Sequence, residues 1–251
     1  MVHFVGAGPG AADLITVRGQ RLLQEADVII YAGSLVNPEH LKLAKESCQI
    51  YDSASMTLEE VISVMQEAET QGKTTVRLHT GDPSIYGAIR EQMDLLEPKK
   101  IEYDVTPGVS SFFGAAAALK AEYTLPDVSQ TVIITRMAGR TPVPEKEEIA
   151  KLASHNATMA IFLSTGLLEP LRERLLVGGY KKETPAAIVY KATWPEEKVF
   201  YATVDTLPQT AKENNITKTA LILVGDFLGD KYERSKLYDP AFTHEFREAI
   251  K

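Results

Sequence analysis

With one cysteine, Cys48, in 251 residues, the chain cannot close an internal disulfide. Its position after a helical pattern, at the start of a short strand pattern, suits a small buried residue. The five histidines, His3, His40, His79, His155 and His244, are too dispersed for metal-ligand spacing, so no metal is expected. Long apolar runs are missing: Val28 to Ala32 and Ala115 to Leu119 fall far below the roughly 20 residues that cross a membrane. Positive charge is scarce too. Lys and Arg number 27 against 34 Asp and Glu, a net −7, and no basic block follows a phosphate backbone. Neither a nucleic acid nor a membrane is expected as a partner. The opening Met-Val-His-Phe-Val-Gly is strand-like at once, without a basic and then apolar leader, which suits a cytoplasmic protein.

What the chain does contain is the composition of an ordinary folded protein, 44% hydrophobic and 24% charged with 13 prolines. Its length allows one large or two modest domains. Strand-like runs at Val2 to Val5, Asp27 to Tyr31, Thr74 to His79 and Ile101 to Val105 alternate with helical patterns. Those helices are expected near Leu14 to Ala26, Pro38 to Lys45, Leu58 to Gln71 and Ile85 to Leu96. Such alternation predicts a mostly parallel sheet covered by helices. Thr57-Leu58-Glu59-Glu60 has capping-box spacing. The stretch "VSSFFGAAAALKAEYTLPD" reads as a closely packed helix ending near Pro126-Asp127.

A second series of strands follows at Thr131 to Thr135, Thr158 to Leu163, Ala186 to Lys191, Val199 to Val204 and Ala220 to Val224. Only "ATWPEEK" separates the third from the fourth, which suits a hairpin and makes this sheet mixed. The expected class is therefore α/β in two domains, with a boundary near residues 122 to 130. The division is 1–125, 126–230, and a tail over 231–251 that has no clear period and lies over the surface.

"VGAGPGAADL" follows the first strand, and Gly6-x-Gly8-x-x-Ala11 fits a relaxed dinucleotide-binding fingerprint. Pro9 removes a backbone donor from that turn, and the acid that should end the second strand is replaced by Tyr31-Ala32-Gly33-Ser34. Asp27 lies at that strand's beginning instead. A nicotinamide oxidoreductase is accordingly the second reading, and glycines that merely permit a tight turn are a third. Thr80-Gly81-Asp82-Pro83 is likewise either a plain turn or a rigid lip over a ligand. Three Gly/Pro turns, at 6–10, 80–83 and 107–108, each follow a strand of the first half, so they should converge on one edge of one sheet.

These pieces, "VGAGPG", "HTGDPSIYG", "TPGVSS" and "VYKATWPEEK", resemble in order and spacing the tetrapyrrole methylases, the S-adenosylmethionine-dependent enzymes of cobalamin and sirohaem biosynthesis. "YAGSLVNP", "LPDVSQTVIITRMAGRTPVPE" and "RSKLYDPAFTHEFR" are most similar to the branch that methylates C11 of a precorrin-4-type ring, with or without cobalt. Relatives acting on uroporphyrinogen usually carry Gly-Gly-Asp-Pro, where this chain has Thr80-Gly81-Asp82-Pro83; that departure favours a later step. A sibling activity at another ring carbon, or a tetrapyrrole binder without turnover, remains open.

The resemblance implies two α/β domains with the cofactor in the cleft between them, usually in a homodimer. It also implies cofactor contacts at Pro9, Thr80, Gly81, Asp82, Ile85, Ser110, Ser111, Leu163, Ala192, Ala220 and Leu221. Ser110-Ser111 stands where the family often has Thr-Ala, and Leu163 where it often has Met. A sulfonium methyl is already activated, so no strong base is demanded and no catalytic residue is named. A polycarboxylate ring held by an acidic protein needs local cations: Arg77, Arg136, Arg140 and Lys191 lie near strand ends, each also readable as a solvated charge. His79, Tyr86 and Trp194 could line a trough for the ring, although a strand-end histidine often just makes a local hydrogen bond.

Overall fold

A computed structural model describes residues 1–249. The chain forms two compact units, one from residues 1–114 with 192–196, the other from 115–191 with the described residues from 197 onward.

The first unit is built on a parallel sheet of five strands: β1 (Val2–Gly6), β2 (Val28–Tyr31), β3 (Gln49–Asp52), β4 (Thr75–His79) and β5 (Tyr103–Thr106), in the order β3-β2-β4-β1-β5. β4 is buried throughout, as a central strand covered by helices on both faces. Helix α1 (Val17–Glu25) packs Leu22 and Leu23 on the face that carries Val5, Ile29, Val76 and Leu78. Helices α2 (Leu58–Thr70) and α3 (Ile89–Leu96) cover the opposite face, over Val2, Phe4, Val28 and Ile30. The Thr57–Glu60 capping box starts α2, and Thr16 caps α1 by accepting from Gly19 N.

Three local readings change. The helix expected from Ile85 starts at Ile89, because Tyr86 (φ 57°) and Ala88 (φ 50°) take left-handed backbone that no α-helix tolerates. Pro38–Leu43 is a 3-10 helix. β3, where the short strand pattern opened by Cys48 falls, is a four-residue edge strand, largely exposed. The alanine-rich helix, α4 (Ser111–Leu119), stops well before Pro126. Lys120 is left-handed (φ 53°), with Lys120 N donating to Ala117 O and Ala121 N to Ala116 O, a Schellman cap made without glycine.

The second unit's sheet is mixed: β6 (Val132–Arg136), β7 (Thr158–Phe162), β8 (Pro185–Tyr190), β9 (Lys198–Thr203) and β10 (Ala220–Val224) run in the order β6-β7-β10-β8-β9. β6 and β7 are parallel; β10 is antiparallel to β7 and β8, and β8–β9 is the expected hairpin. Helices α5 (Ile149–Ala153), α6 (Leu168–Val177) and α7 (Leu207–Glu213) close a core of Ile149, Met159, Ile161, Leu171, Leu175, Ile188, Leu207 and Ile222.

The units divide after Gly114, and residues 192–196 of the hairpin loop belong to the first unit. The reason is local: Ala11 N donates to Thr193 Oγ1 at 2.9 Å, and the Trp194 indole lies against Gly10. The described part of the tail is largely exposed; a 3-10 turn in it, Lys236–Tyr238, is tied by Arg247 Nη2 to the carbonyls of Leu237 (3.0 Å) and Asp239 (2.6 Å). The last two positions of the 231–251 reading lie outside the described residues.

Candidate functional site

β1 and β4 are neighbours, yet the chain leaves their carboxyl ends toward opposite faces, to α1 from β1 and to α3 from β4. Such a switch point opens a crevice beyond the strand ends, where α/β sheets hold ligands. The three Gly/Pro turns meet there. Gly81 N donates to Gly8 O (2.8 Å), Gly8 N to Gly81 O (3.2 Å) and Ala7 N to His79 O (2.7 Å), zipping the first two turns together. A Cβ on Gly6 would fall 2.6 Å from both the Gly108 Cα and the Gly81 carbonyl, so side chains are excluded where the turns touch.

Asp82 joins the second turn to the third. Its Oδ2 accepts from Gly108 N at 2.8 Å and its Oδ1 from Ser84 N (2.9 Å) and Ser84 Oγ (2.5 Å). Burial pulls this carboxyl's pKa up, but the bonds from Ser84 Oγ, Gly108 N and Ser84 N together outweigh it and hold the group below the usual carboxylate range. Asp82 is thus an ionised brace. Ser110 Cα and Ser111 N, at the start of α4, lie about 3.5 Å from where a Cβ on Gly81 would be. Pro9 is buried against Gly114 of α4, and the Ala192 carbonyl and Trp194 cover Gly10. Thr80 and Ile85 are half-buried beside the same turns, and Tyr86 is 47% exposed.

Two of the expected substrate contacts have buried side chains. Arg77 is only 7% exposed; its Nε donates to Gln92 Oε1 (3.1 Å) and its Nη1 to the Ile30 carbonyl (3.1 Å), so it serves the interior of the sheet's α2/α3 face. Burial lowers its pKa to about 10. His79, 4% exposed, is driven to a pKa of about 3 by burial and the nearby Arg77, and is neutral at any physiological pH.

In the second unit, β6, β7 and β8 run in one direction and β10 in the other, so their loops share an edge. Leu163 follows β7 there with left-handed backbone (φ 51°) and 66% exposure. Lys191 follows β8 (φ 46°) and Thr219 precedes β10 (φ 58°), the two linked by Lys191 N donating to Thr219 O at 3.0 Å. The Lys191 ammonium sits 5.8 Å from the Tyr190 ring centroid. Ala220 O accepts from Thr165 Oγ1 (3.1 Å), and Leu221 is buried within β10. Left-handed leucine and threonine carry a steric cost that persists where surrounding structure enforces it, often at ligand sites. Arg136 ends β6, and Arg140 is exposed on the loop after it.

Sequence reading missed several partners of the glycine turn. Asn37 Nδ2 donates to Gly10 O at 2.8 Å, and its only signal was a turn-forming Asn-Pro pair. Thr193 and Gly114 lay inside quoted stretches, "VYKATWPEEK" and the alanine-rich helix, without being singled out. The dinucleotide reading fails on topology: β4 stands between β1 and β2, so a residue ending β2 is two strands away from the glycine turn it would serve.

Converged glycine turns at a switch point, with side chains kept out, define an α/β protein that binds a small molecule against its backbone. The chain belongs to the tetrapyrrole (corrin/porphyrin) methylases, whose sequence model matches residues 1–208. It is 55% identical to the cobalt-precorrin-4 C(11)-methyltransferase of Methanocaldococcus jannaschii, over 100% of this chain and 97% of that protein. It is 44% identical to the precorrin-4 C(11)-methyltransferase of Mycobacterium tuberculosis, over 96% of each. The X-ray structure of a cobalamin biosynthetic enzyme, the cobalt precorrin-4 methyltransferase CbiF, is 47% identical and similar in fold with a TM-score of 0.89, covering 91% of this chain and 96% of that one.

Proposed function

We propose that this chain is an S-adenosylmethionine-dependent methyltransferase acting on C11 of a precorrin-4-type tetrapyrrole, with or without cobalt, in cobalamin biosynthesis. One observation carries the reading: 55% identity, end to end, to a relative named for that reaction. A cytoplasmic location and a homodimeric state go with it.

The residues present fit the cofactor. Its amino-acid end needs close backbone approach and a place for a carboxylate, and the Gly8–Gly81 pairing beside the α4 N-terminus offers both. Thr80, Gly81, Ile85, Ser110, Ser111, Pro9 and Ala192 would hold it in the first unit; Leu163, Ala220 and Leu221 are the second unit's candidate cofactor residues. When bound, S-adenosylmethionine supplies a methyl already activated on a sulfonium, which an electron-rich ring carbon takes without a strong base. The protein's part is then orientation, which supplies about 7 to 11 kcal/mol when reacting groups are aligned. Asp82 contributes by fixing the loop, since both its oxygens are engaged within it. Tyr86 offers an exposed aromatic face to the ring, and Arg140 and Lys191 offer cations to its carboxylates.

Turnover of cobalt-precorrin-4 with a carbon-13 methyl donor, followed by NMR of the product, tests the assignment. A single labelled methyl on C11 is expected; a methyl on another carbon would replace the C11 assignment by a sibling activity. Saturating S-adenosylhomocysteine, at about 100 times its dissociation constant, should add about 2.7 kcal/mol and raise Tm by about 5 to 10 °C, whereas NADH should leave it unchanged. The reverse pattern would overturn the methyl-donor reading.

A further inference from the structure

The loop after β6 is built around one buried hydroxyl and one guanidinium. Ser164, fully buried, accepts from Met137 N at 2.9 Å and donates to Phe162 O at 2.6 Å, tying the loop's first residue to the end of β7. Arg136 then folds the rest back on itself. Its Nη1 donates to the carbonyls of Met137 (3.2 Å) and Thr141 (3.2 Å), and its Nη2 to that of Pro142 (2.7 Å). Gly139 packs toward Leu167: a Cβ there would sit 3.3 Å from the leucine Cδ1. Between these anchors the Arg140 side chain is exposed. The loop stands on the same sheet edge as Leu163, Lys191 and Thr219.

We propose that residues 137–142 form a preshaped carboxylate-docking lip, in which Arg140 meets an acetate or propionate arm of the tetrapyrrole and Arg136 is a positioning residue. The proposal rests on the functional reading above and divides between two arginines a role that sequence pattern assigns to both alike. A guanidinium committed to three backbone carbonyls has little left for a substrate, whereas an exposed one on a braced loop meets a carboxylate with little ordering to do. The acidic balance of the chain, net −7, makes such local cations necessary for an anionic ligand.

The roles differ in what lysine can replace. At position 140 lysine keeps the charge and loses the fork. At position 136 lysine carries all its donors on one nitrogen and cannot serve acceptors that arginine reaches from two. Uroporphyrin III, an eight-carboxylate tetrapyrrole, is the probe, titrated into the full-length protein by absorbance; S-adenosylhomocysteine is titrated in parallel by calorimetry. Arg140→Ala should weaken uroporphyrin binding about tenfold, and Arg140→Lys should recover part of the loss. Arg136→Ala and Arg136→Lys should be equally weak, and all four variants should bind S-adenosylhomocysteine as the parent does, which also shows that they fold. Wild-type uroporphyrin affinity in Arg140→Ala would overturn the lip, and full recovery in Arg136→Lys would overturn the positioning role. Parent protein that binds S-adenosylhomocysteine but no uroporphyrin would remove the tetrapyrrole reading itself, a result distinct from either.

Discussion

At the scale of single residues, the first unit keeps polar groups where burial opposes them. His40 is 1% exposed within the 3-10 helix that follows Asn37, and among the described residues neither ring nitrogen has a hydrogen-bond partner. An unsatisfied buried polar group costs about 1 to 3 kcal/mol. His40→Leu, similar in volume, is expected to raise stability by about 1 kcal/mol in urea titration while leaving S-adenosylhomocysteine affinity intact. Asp82 is the opposite case, since both of its oxygens are engaged. In Asp82→Asn one oxygen becomes a donor facing Gly108 N, so the brace between the second and third turns breaks. Calorimetry should show S-adenosylhomocysteine binding weakened by about tenfold or more. A brace and a base differ further in the pH profile: the residual kcat should keep the parent's profile, because no proton passes through this carboxyl.

At the scale of elements, the ends of helices show what local sequence can specify. Thr57 and Glu60 form the capping box that their spacing predicts, and Thr57→Ala should cost about 1 kcal/mol, read as a shift of the urea midpoint at unchanged slope. In that variant Glu60 N loses its acceptor, Thr57 Oγ1, while Thr57 N can still donate to Glu60 Oε2; Thr57→Ser keeps the hydroxyl and should therefore recover most of the loss. The start of α3 was not legible in the same way. "PSIYGAIREQM" has helical spacing from Ile85, but Pro83 O and its neighbours crowd Gly87, and Tyr86 and Ala88 turn left-handed before the helix begins. That delay leaves Tyr86 beside the converged turns, the residue 47% exposed. β3 showed only as a short strand pattern after Cys48, because a largely exposed edge strand needs no apolar alternation.

At the scale of the whole molecule, the buried histidines set an acid limit. Burial lowers the pKa of His40, and burial with Arg77 lowers that of His79 to about 3. Each binds its proton more readily unfolded, so the unfolded state gains protons first as pH falls below about 6.5. Their stabilisation is complete above that pH and declines by up to about 1.4 kcal/mol per pH unit per histidine, for His79 down to about pH 3. Asp82, Glu148 and Asp205, whose pKa values the fold lowers, add losses of the same sign at the acid end of that range. The single tryptophan, Trp194, belongs to the first unit with both histidines, so its fluorescence during urea unfolding at pH 7.5, 6 and 4.5 reports their unit directly. A pH-independent midpoint between 7.5 and 4.5 would contradict the buried, neutral assignment of both rings.

By itself the sequence determined the two strand series, the hairpin, the capped start of α2 and the three glycine turns. Each of these depends on residues within one turn or one strand of each other: alternation, cap spacing, and glycine where a Cβ is excluded. It also carried the family, because motif order along the chain survives without knowledge of the fold. Only the tertiary structure decided the strand order that places β1 beside β4, the return of residues 192–196 to the first unit, and the burial of Arg77 and His79. It alone separated Arg136 from Arg140. Those outcomes depend on which distant segments compete for the same space and the same carbonyl groups, and a charged or aromatic residue near a strand end looks alike in sequence whether it faces the interior or a ligand.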